Sequence, residues 1–511
     1  MYTKLLAAVV ETLLVGSALA TPTSTVSKRQ SDIEAFIEKQ RPVSLDGIVA
    51  NIGPDGSGAQ GAAAGIVVAS PSKSDPDYFY TWTRDAGLTF KTLVEVLVAG
   101  DDSVKPQIDD YVTSQAKLQE VENPSGGIDS GGLGEPKFHV DMSAFTEEWG
   151  RPQRDGPALR ATALMTYGTY LLENGGKEQA KSEIWPIVQK DLGYVTEYWQ
   201  QTGFDLWEEV EGNSFFTVSG QHRALVEGVT FAEKIGETCE GCDEQAQQIV
   251  CSLEDFWNGE FIVSNMPASD RTGLDANSIL ASNHRYDPAA SCSDSTFQPC
   301  SSRALSNHKA VVDSFRDVYG INSGIEAGKG VAIGRYSEDV YMGGNPWYLT
   351  TLAAAEQLYN ALHQWETQGS ITIDETSLAF FQDVSGDAAV GEIAAGDEAY
   401  KSITSAIKTY ADSFVAVVQE YTPEDGSYAE QFGRDDGTPM SAADLTWSYA
   451  AFVAAVDRRA GENPPSWGET KSTCGGGGEP TGTSSPTPSP TASGAVRHAV
   501  KRNTNGVPVS F

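Results

Sequence analysis

The sequence predicts an all-α protein in which inner and outer helices form a closed ring. Apolar residues recur at helical spacing in several long segments, and no run of strand-like alternation reaches a comparable length. In addition, six long loops each lead into a helix, with room for a returning helix between successive loop-entered helices. Six such helix pairs, with the long loops on one side, predict a ring whose loops converge over one end.

The helices are predicted from apolar periodicity and from the residues that begin and end them. Thr83 is the expected N-cap of the first clear helix, and Gly100 closes it. Another helix stops at Gly175-Gly176. The four clearest segments are Ala86–Val98, Ala158–Leu172, Leu349–Leu362 and Ala442–Val456.

The long loops are identified by their turn residues and by the helical segment that follows each of them. Because all six are expected at the same end of the ring, their side chains can form one pocket. The loops are Asp75–Asp85, Val121–Gly156, Gln201–Gly220, Ala281–Ser302, Gly320–Pro346 and Thr422–Met440.

The strong negative charge of the chain excludes some classes of binding partner. The 511 residues include 35 basic and 70 acidic side chains, for a formal net charge of −35. Such a surface repels phosphate, so nucleic acid is not an expected partner. The composition suits a protein that acts on a neutral ligand, and it is equally explained by a need for solubility.

Both ends of the chain differ from the middle. Residues 1–20 have the pattern of a secretory signal, with Lys4 before an apolar stretch and Ala18-Leu19-Ala20 as the cleavage site. The dibasic Lys28-Arg29 predicts that 21–29 is a propeptide. A Gly/Ser/Thr/Pro-rich tail occupies 475–511, which leaves 30–474 as the folded domain. We therefore expect a secreted protein with no membrane span.

The six cysteines fit an oxidising compartment. An even number in a secreted chain favours three disulfides, although fifteen pairings exist in principle. The Cys239-Glu-Gly-Cys242 segment could also be a redox or zinc motif. No second CxxC and no histidine at ligand spacing accompany it, so a structural disulfide is preferred.

Two acidic segments on aromatic-rich loops suggest hydrolysis of a glycosidic bond. Asp205-Leu206-Trp207-Glu208-Glu209 places three carboxylates around a tryptophan, and Glu430 follows Tyr428 on a distant loop. Cleavage of a sugar–sugar bond requires one carboxylic acid to protonate the departing oxygen. A second, ionised carboxylate activates water or attacks carbon.

Five of the six loops combine aromatic residues with an acid or an arginine. Aromatic rings stack on the C–H faces of sugars, while Arg and Asp bind hydroxyl groups. Taken singly, each residue has a plainer explanation: the aromatics could belong to the core, Arg84-Asp85 could be an ion pair at a helix end, and Glu208, Glu209 and Glu430 could be surface charges. Their concentration in the loops favours a sugar-binding pocket.

Several long motifs in the same order resemble fungal glucoamylases, the inverting glycoside hydrolases of family 15. The similarity covers roughly Gln30 to Cys474. It implies an (α/α)6 barrel, and it implies the disulfides Cys239–Cys242, Cys251–Cys474 and Cys292–Cys300. The motifs are Tyr78–Asp85 (YFYTWTRD), Gly132–Phe138 (GLGEPKF), Trp149–Pro157 (WGRPQRDGP), Asp205–Glu209 (DLWEE) and Asp444–Tyr449 (DLTWSY).

Site roles follow from the same resemblance. Glu208 is the expected general acid, Glu430 the general base, and Tyr78 helps to hold the attacking water. Residues expected to grip the terminal glucose are Arg84, Asp85, Leu206, Trp207 and Arg335. Residues expected to bind substrate around them or at the next subsite are Trp82, Trp149, Asp205, Glu209, Trp347 and Trp447.

The mechanism sets expectations for the two carboxyl groups. Burial beside Trp207 and crowding by Asp205 and Glu209 should keep Glu208 protonated, whereas the loop of Glu430 should be more polar. An inverting enzyme holds the pair about 6.5–9.5 Å apart. We expect neither a metal nor a cofactor.

The resemblance implies an exo-acting, monomeric enzyme that releases β-glucose from starch and maltooligosaccharides, with slower α-1,6 cleavage. Many family members carry a starch-binding domain after a similar tail, and none is expected here. The alternatives are another inverting α-glucoside hydrolase, such as a trehalase or an isomaltodextrin-specific enzyme, and a non-catalytic glucan-binding protein that kept the pocket.

Overall fold

The computed structural model describes residues 23–268, 271–469 and 474. The predicted signal segment 1–20 and the predicted tail 475–511 lie outside the described residues. The proposed processing point Lys28-Arg29 falls within the first helix. No helix within the described ranges is long and apolar enough to cross a membrane.

Helices dominate the described chain. The α-helices are α1 Thr23–Ala50, α2 Thr83–Val98, α3 Lys105–Leu118, α4 Gly156–Glu173, α5 Lys177–Gln179, α6 Trp185–Tyr198, α7 Phe215–Ile235, α8 Cys242–Leu253, α9 Asn277–Arg285, α10 Ser302–Ser314, α11 Tyr348–Gln368, α12 Leu378–Val384, α13 Glu398–Glu420 and α14 Thr446–Ala460.

Six of these helices close an inner ring. In order around the ring, α2 packs on α4, α4 on α7, α7 on α9, α9 on α11, α11 on α14, and α14 returns to α2. The outer helices α1, α3, α6, α8, α10 and α13 pack against the inner ones from outside. The predicted (α/α)6 arrangement is therefore confirmed.

The core fills the space between the two rings and the interior of the inner ring. Large apolar side chains from every inner helix are fully buried there. At the contact of α2 with α4, Gly87 permits close approach, because a Cβ at this position would lie 3.0 Å from the carbonyl carbon of Leu159. Examples of buried core residues are Phe90, Leu164, Leu225, Ile279, Leu352 and Val453.

Short antiparallel strands brace the loops. Pairs form between β1 and β2, β3 and β4, β4 and β5, β6 and β7, and β8 and β9. The strands are β1 Thr81–Trp82, β2 Lys137–Phe138, β3 Gly203–Phe204, β4 Glu211–Ser214, β5 Asn265–Met266, β6 Ser370–Ile373, β7 Gly391–Ala394, β8 Gln431–Phe432 and β9 Pro439–Met440.

Several bounds in the sequence prediction are wrong. The third long loop ends at Ser214 rather than at Gly220, because α7 begins at Phe215, and α14 begins at Thr446 rather than at Ala442. The fourth long loop does not span Ala281–Ser302, because α9 occupies 277–285 as an inner helix and the loop that enters it lies earlier, between α8 and α9. In addition, Thr83 is the first residue of α2, and Trp82 occupies the N-cap position without a side-chain cap bond. The segment of α9, NSILASNHR, is too polar to show the apolar pattern of a buried helix.

The three disulfides implied by the resemblance are all present. They join Cys239 to Cys242, Cys251 to Cys474, and Cys292 to Cys300. The second of these links helix α8 to the end of the described chain, so it fixes the C-terminal segment to the outer ring. None of the described cysteines is free.

Candidate active site

The predicted site residues gather at the N-terminal ends of the inner helices. Arg84 and Asp85 lie in the first turn of α2, and Trp347 is the residue before α11. The hairpin formed by β3 and β4 leads directly into α7. Because these helix ends lie on the same side of the ring, the loops before them form one site.

Glu208 occupies the turn of the β3–β4 hairpin in a left-handed backbone conformation, with φ +66°. Asp205 fixes this turn. Its Oδ1 accepts hydrogen bonds from the backbone N–H of Glu209 (2.9 Å) and of Val210 (3.2 Å). A non-glycine residue with positive φ is strained and persists only where its surroundings determine it. The hairpin thus holds the Glu208 side chain in a defined direction.

Four N–H donors surround the Glu208 carboxylate. Oε1 accepts from Trp82 Nε1 at 2.6 Å, from Gln153 Nε2 at 3.1 Å and from Arg84 Nη2 at 3.4 Å. Oε2 accepts from Trp149 Nε1 at 2.9 Å. The two indole rings meet edge to face at 6.2 Å. The first and second long loops therefore supply all four of these donors.

Arg84 ties the two loops together. Its Nη1 donates to Gln153 Oε1 at 2.7 Å and to Asp155 Oδ2 at 3.0 Å, and it is almost fully buried. Asp85 lies 3.8 Å from Arg84 Nε. Burial raises the pKa of Asp85 to about 6, a shift that Arg84 opposes and the charge of Glu208 reinforces.

A second charged cluster lies behind Glu209. Arg335 binds Asp339 through two hydrogen bonds, at 2.8 and 2.6 Å, and donates to Glu209 at 2.9 Å. Arg271 and the hydroxyl of Tyr336 bind the other oxygen of Glu209. Although burial opposes it, Arg335 and these hydrogen bonds lower the pKa of Glu209, which stays ionised.

Aromatic rings enclose Arg335. The guanidinium carbon lies 5.5 Å from the ring centres of Trp207 and Trp347 and 5.0 Å from that of Tyr341. Trp207 donates its indole N–H to both oxygens of Asp275, at 2.9 and 3.1 Å. These contacts combine flat apolar faces with fixed charge, the two properties that bind a sugar ring and its hydroxyl groups.

Glu430 is buried on the sixth loop, with 1% of its surface exposed. Gln431 Nε2 donates to its Oε2 at 2.9 Å, and Ser441 Oγ donates to the same oxygen. Burial raises the pKa of Glu430 to about 7, although the hydrogen bonds from Ser441 and Tyr78 and the charge of Arg335 oppose the shift. Glu430 thus has polar partners, as expected of its loop, but it is buried, and burial favours its protonated form.

Tyr78 connects the two carboxyl groups. Its hydroxyl lies 2.7 Å from that of Tyr341, and its ring meets Trp82 at 5.5 Å. Its pKa is raised well above the usual value by burial and by the charges of Glu430 and, more weakly, Glu208. The charges of both carboxylates therefore act on the hydroxyl of Tyr78.

Asp205 and Glu209, the two neighbours of Glu208 in the acidic motif, have partners of their own. Asp205 binds backbone N–H groups and the side chain of Asn265, and Glu209 binds Arg335 and its neighbours, so neither crowds Glu208. Burial does raise the pKa of Asp205. The acid that acts electrostatically with Glu208 is instead Asp85.

Two predicted binding residues contribute differently from the rest. The side chain of Leu206 is buried in the main core. Trp447 lies in the first turn of α14 and lines a cavity inside the inner ring with Leu88, Phe216 and Leu349. The side chains of Leu206 and Trp447 therefore lie below the loops and do not take part in the two charged clusters around Glu208 and Glu209.

The structure adds functional residues that the sequence did not single out. Gln153 binds both Arg84 and Glu208, Asp275 orients Trp207, and Ser441 donates to Glu430. Gln153 lies inside a quoted motif, so its position was accessible. Tyr341, which the sequence does place among the aromatic residues of the fifth loop, contacts Tyr78. Asp275 lies just before α9, and it was missed because the polar sequence of this helix shows no apolar periodicity.

Two buried N–H donors at the site have no acceptor among the described residues. They are Arg84 Nε and Trp347 Nε1. A buried donor without a partner is costly, and the hydroxyl groups of a ligand would satisfy both. Within the described ranges, no group of three or more His, Cys, Asp or Glu side chains is arranged to hold a metal ion.

Comparisons with known proteins identify related sequences. The sequence profile of the Glycosyl hydrolases family 15 matches residues 42–457. A glucoamylase of Neurospora crassa is 54% identical over 468 residues, which cover 89% of this chain and 74% of the relative. Glucoamylase-1 of Schizophyllum commune is 50% identical over 473 residues, with coverage of 91% and 82%.

Solved structures give the same result. The structure of Hormoconis resinae glucoamylase matches with a TM-score of 0.84 at 54% identity, covering 86% of this chain and 77% of that one. The glucoamylase of Saccharomycopsis fibuligera matches with a TM-score of 0.78 at 34% identity, covering 84% and 96%. The predicted resemblance to glucoamylases and the prediction of an enzyme are confirmed, and the chain belongs to the Glycosyl hydrolases family 15.

Proposed function

We propose that this family 15 enzyme is a secreted, exo-acting glucan 1,4-α-glucosidase. It releases β-D-glucose from the non-reducing ends of starch and maltooligosaccharides, with slower cleavage of α-1,6 bonds. The observation that carries the proposal is that the carboxyl groups of Glu208 and Glu430, from two loops far apart in sequence, both act on the hydroxyl of Tyr78. An inverting hydrolase requires two carboxyl groups in one site, one as acid and one as base.

Glu208 donates a proton to the glycosidic oxygen as its bond to C1 of the terminal glucose breaks. The carboxylate that remains is stabilised by the indole N–H groups of Trp82 and Trp149 and by the guanidinium of Arg84. Hydrogen bonds to an ionised acceptor are about twice as strong as neutral ones. The donor set therefore favours the state in which the proton has been transferred.

Glu430 accepts a proton from the water that attacks C1 on the opposite face of the sugar. Its raised pKa makes it a stronger base than an ordinary carboxylate once it is ionised. The charge of Arg335 and the hydrogen bonds from Ser441 and Tyr78 favour the ionised form. The hydroxyl of Tyr78, which is hydrogen-bonded to Glu430, helps to orient this water.

The terminal glucose is held by charge and by aromatic faces. Arg84, Asp85 and Arg335 offer directional hydrogen bonds to hydroxyl groups, and the rings of Trp207 and Trp347 offer apolar surface. Arg84 Nε and Trp347 Nε1 gain acceptors when a sugar binds. The remaining predicted contacts come from Trp82, Trp149, Asp205, Leu206, Glu209 and Trp447.

The division of roles between the two glutamates is tested with leaving groups. A raised pKa alone would favour Glu430 as the acid, so proton affinity does not decide the assignment. Fluoride leaves α-glucosyl fluoride without protonation, whereas the sugar oxygen of maltose requires it. We expect Glu208→Gln to lose nearly all maltose hydrolysis and to keep much of its activity on the fluoride. Glu430→Gln should lose both activities, and the reverse pattern would exchange the roles.

The stereochemical outcome tests the mechanism independently. Proton NMR recorded during the first minutes of maltotriose hydrolysis, before mutarotation, should show β-glucose as the initial product. An initial α-glucose signal would require a retaining mechanism, with the carboxyl groups only about 5–5.5 Å apart. That result would contradict the proposal that Glu430 activates a water molecule while Glu208 acts as the acid.

Substrate comparison separates the alternatives. Turnover of maltotriose should exceed that of isomaltotriose and of trehalose, and fastest turnover of trehalose would assign the enzyme to a different specificity. A protein that bound maltooligosaccharide tightly but released no glucose would be a binding protein. The geometry favours the enzyme, because a binding protein has no need for the strained turn that directs Glu208.

Secretion and oligomeric state belong to the same proposal. The expected mature enzyme begins at Gln30, after removal of the signal and propeptide. N-terminal sequencing of protein from culture medium tests the processing, and light scattering tests the expected monomer. An unprocessed intracellular chain would contradict the proposed localisation.

A further inference from the structure

Lys137 lies in an aromatic box behind the Glu208 carboxylate. Its ammonium nitrogen is 3.3 Å from the ring centre of Trp149, 4.1 Å from that of Phe145, 4.4 Å from that of Tyr80 and 4.7 Å from that of Trp82. The residue is 2% exposed. Four rings on one buried cation form a site of the kind that recognises ammonium groups.

The strand pairing places this lysine beside the catalytic loop. Lys137 on β2 lies directly opposite Trp82 on β1, in antiparallel register. Trp82 and Trp149 are the two box rings whose indole N–H groups bind Glu208. The cation therefore contacts both indoles on their faces while their N–H edges hold the carboxylate.

The charge of Lys137 has no local partner among the described residues. Its ammonium group forms neither a hydrogen bond nor an ion pair there, although a buried cation normally has one. Burial lowers its pKa to about 8, opposed chiefly by Glu208, then by Asp77 and Glu147. In the acidic to neutral range Lys137 therefore carries its charge, and Glu208 is the carboxylate that acts on it most.

We propose that Lys137 is a positioning residue for proton transfer, which clamps the two indoles and stabilises the Glu208 carboxylate formed when the proton leaves. This inference rests on the proposed role of Glu208 as the acid. The other charged or titratable groups that face Glu208 are Arg84, Asp85 and Tyr78. Those that face Lys137 are Asp77, Glu147 and Arg151.

The charge makes a specific prediction for acid catalysis. A positive charge near Glu208 favours loss of its proton, so its removal makes the acid a weaker proton donor. The basic limb of the pH dependence of kcat/KM, where the acid loses its proton, should then move to higher pH. The loss of rate should be large for a leaving group that needs a proton and small for one that does not.

Lys137→Met tests this, because methionine keeps apolar bulk in the box and removes the charge. We expect kcat on maltose to fall roughly tenfold, within the contribution of general acid catalysis. Hydrolysis of α-glucosyl fluoride should change by less than about twofold, since it does not need the proton. The basic limb should rise by about one pH unit. Lys137→Arg, which retains the charge, should leave the basic limb in place.

Lys73→Met is the matched control. Lys73 also lies over an aromatic ring, at 3.9 Å from Phe79, but it is exposed and precedes the first loop. It should behave like the wild-type enzyme. Thermal unfolding is measured first for every variant, and Lys137→Gln replaces the methionine variant if the latter does not fold.

Equal losses on maltose and the fluoride, with an unmoved basic limb, would show that Lys137 only supports the fold and would overturn the inference. Unchanged kinetics would overturn it as well, as would a basic limb that moves equally in the arginine variant. Glu208→Gln is measured in parallel. If it hydrolyses maltose normally, the proposed acid is wrong; if it is inactive and Lys137→Met behaves like wild type, only the role of Lys137 is wrong.

Discussion

Trp82 donates its indole N–H to Glu208 Oε1 at 2.6 Å, across 126 positions of sequence. The same tryptophan is the last residue before α2, and it lies opposite Lys137 in the β1–β2 pair. One side chain thus links the start of an inner helix, the second loop and the catalytic hairpin. The direction of the Glu208 carboxylate therefore depends on how three segments meet.

Trp82→Phe should reduce kcat on maltose by roughly tenfold or more, because it removes a hydrogen bond to a charged group while it keeps most of the ring. Trp199→Phe is the control, since Trp199 donates its indole N–H to Gln245 in the outer ring at 2.7 Å. Steady-state kinetics on maltose compare the two variants. Equal activity in both would show that the Trp82 hydrogen bond does not hold Glu208 in its working position.

Ser441→Ala should shift the acidic limb of the kcat/KM profile to higher pH. The base works when ionised, so activity falls as the pH drops through the pKa of Glu430. The hydrogen bond from Ser441 lowers that pKa, and its removal raises it. We expect a shift of about half a pH unit or more.

Ser427→Ala serves as the control for this shift. Ser427 lies on the same loop, but its hydroxyl binds the exposed Asp425 at 2.8 Å. Its acidic limb should coincide with that of the wild type. If the acidic limb of Ser441→Ala also coincided with it, the group that titrates there would not be Glu430.

Glu95→Gln should destabilise the enzyme most near neutral pH. Although burial opposes it, Arg458 and Lys91 lower the pKa of Glu95 from 4.5 to about 2. A depressed carboxyl pKa contributes stability that is complete above the unfolded value and is lost as the pH falls through the folded value. Here that window runs from 4.5 down to about 2. The difference between these two pKa values corresponds to about 3 kcal/mol of folding stability at pH 6.

Urea unfolding at pH 6 and at pH 2.5 measures this difference. The free energy of unfolding of Glu95→Gln should lie well below that of the wild type at pH 6 and should approach it at pH 2.5. Glu398→Gln is the control, because Glu398 pairs with Lys401 on the exposed surface of α13, where an ion pair contributes about 1 kcal/mol or less. A pH-independent effect of Glu95→Gln would attribute its role to packing rather than charge.

The sequence predicted the ring of helices because apolar periodicity and long loops leave a strong pattern. It failed at α9, where Asn283, His284 and Arg285 are buried although they are polar. Partners from other helices meet part of this polarity: Asn283 Nδ2 donates to the carbonyl oxygen of Ala353 on α11, and Arg285 Nη2 lies 3.1 Å from His222 Nδ1 on α7. No local pattern carries that information.

The candidate site was predicted to a similar extent. Glu208 and Arg84 stand in the quoted motifs, and Glu430 follows Tyr428 on a long loop, so their identities were accessible from the chain. Their environments were not, because the donors to Glu208 come from two other loops, and the burial of Glu430 depends on tertiary packing. Lys137 lies in the motif Gly132–Phe138, but only the strand pairing places it against Trp82.

The last prediction concerns the segment that follows α14. Asp287 is fully buried, and its Oδ2 accepts hydrogen bonds from Ser466 Oγ, Gly468 N and Glu469 N at 3.0 Å and from Trp467 N at 3.2 Å. Trp467 also donates its indole N–H to the carbonyl oxygen of Tyr286 at 3.0 Å. One carboxylate thus holds residues 466–469 against the ring.

Asp287→Ala should release this segment, because four donors lose their acceptor and each unsatisfied buried group costs about 1–3 kcal/mol. We expect rapid proteolysis near 463–469 under conditions in which the wild type is resistant. Since the Cys251–Cys474 disulfide keeps the C-terminal piece attached, the cut should be visible on reducing gels and hidden on non-reducing ones. Asp101→Ala, which removes a surface hydrogen bond to the N–H of Ser103, is the control. Equal resistance of the two variants would mean that the disulfide and Trp467 alone hold the segment, without the carboxylate.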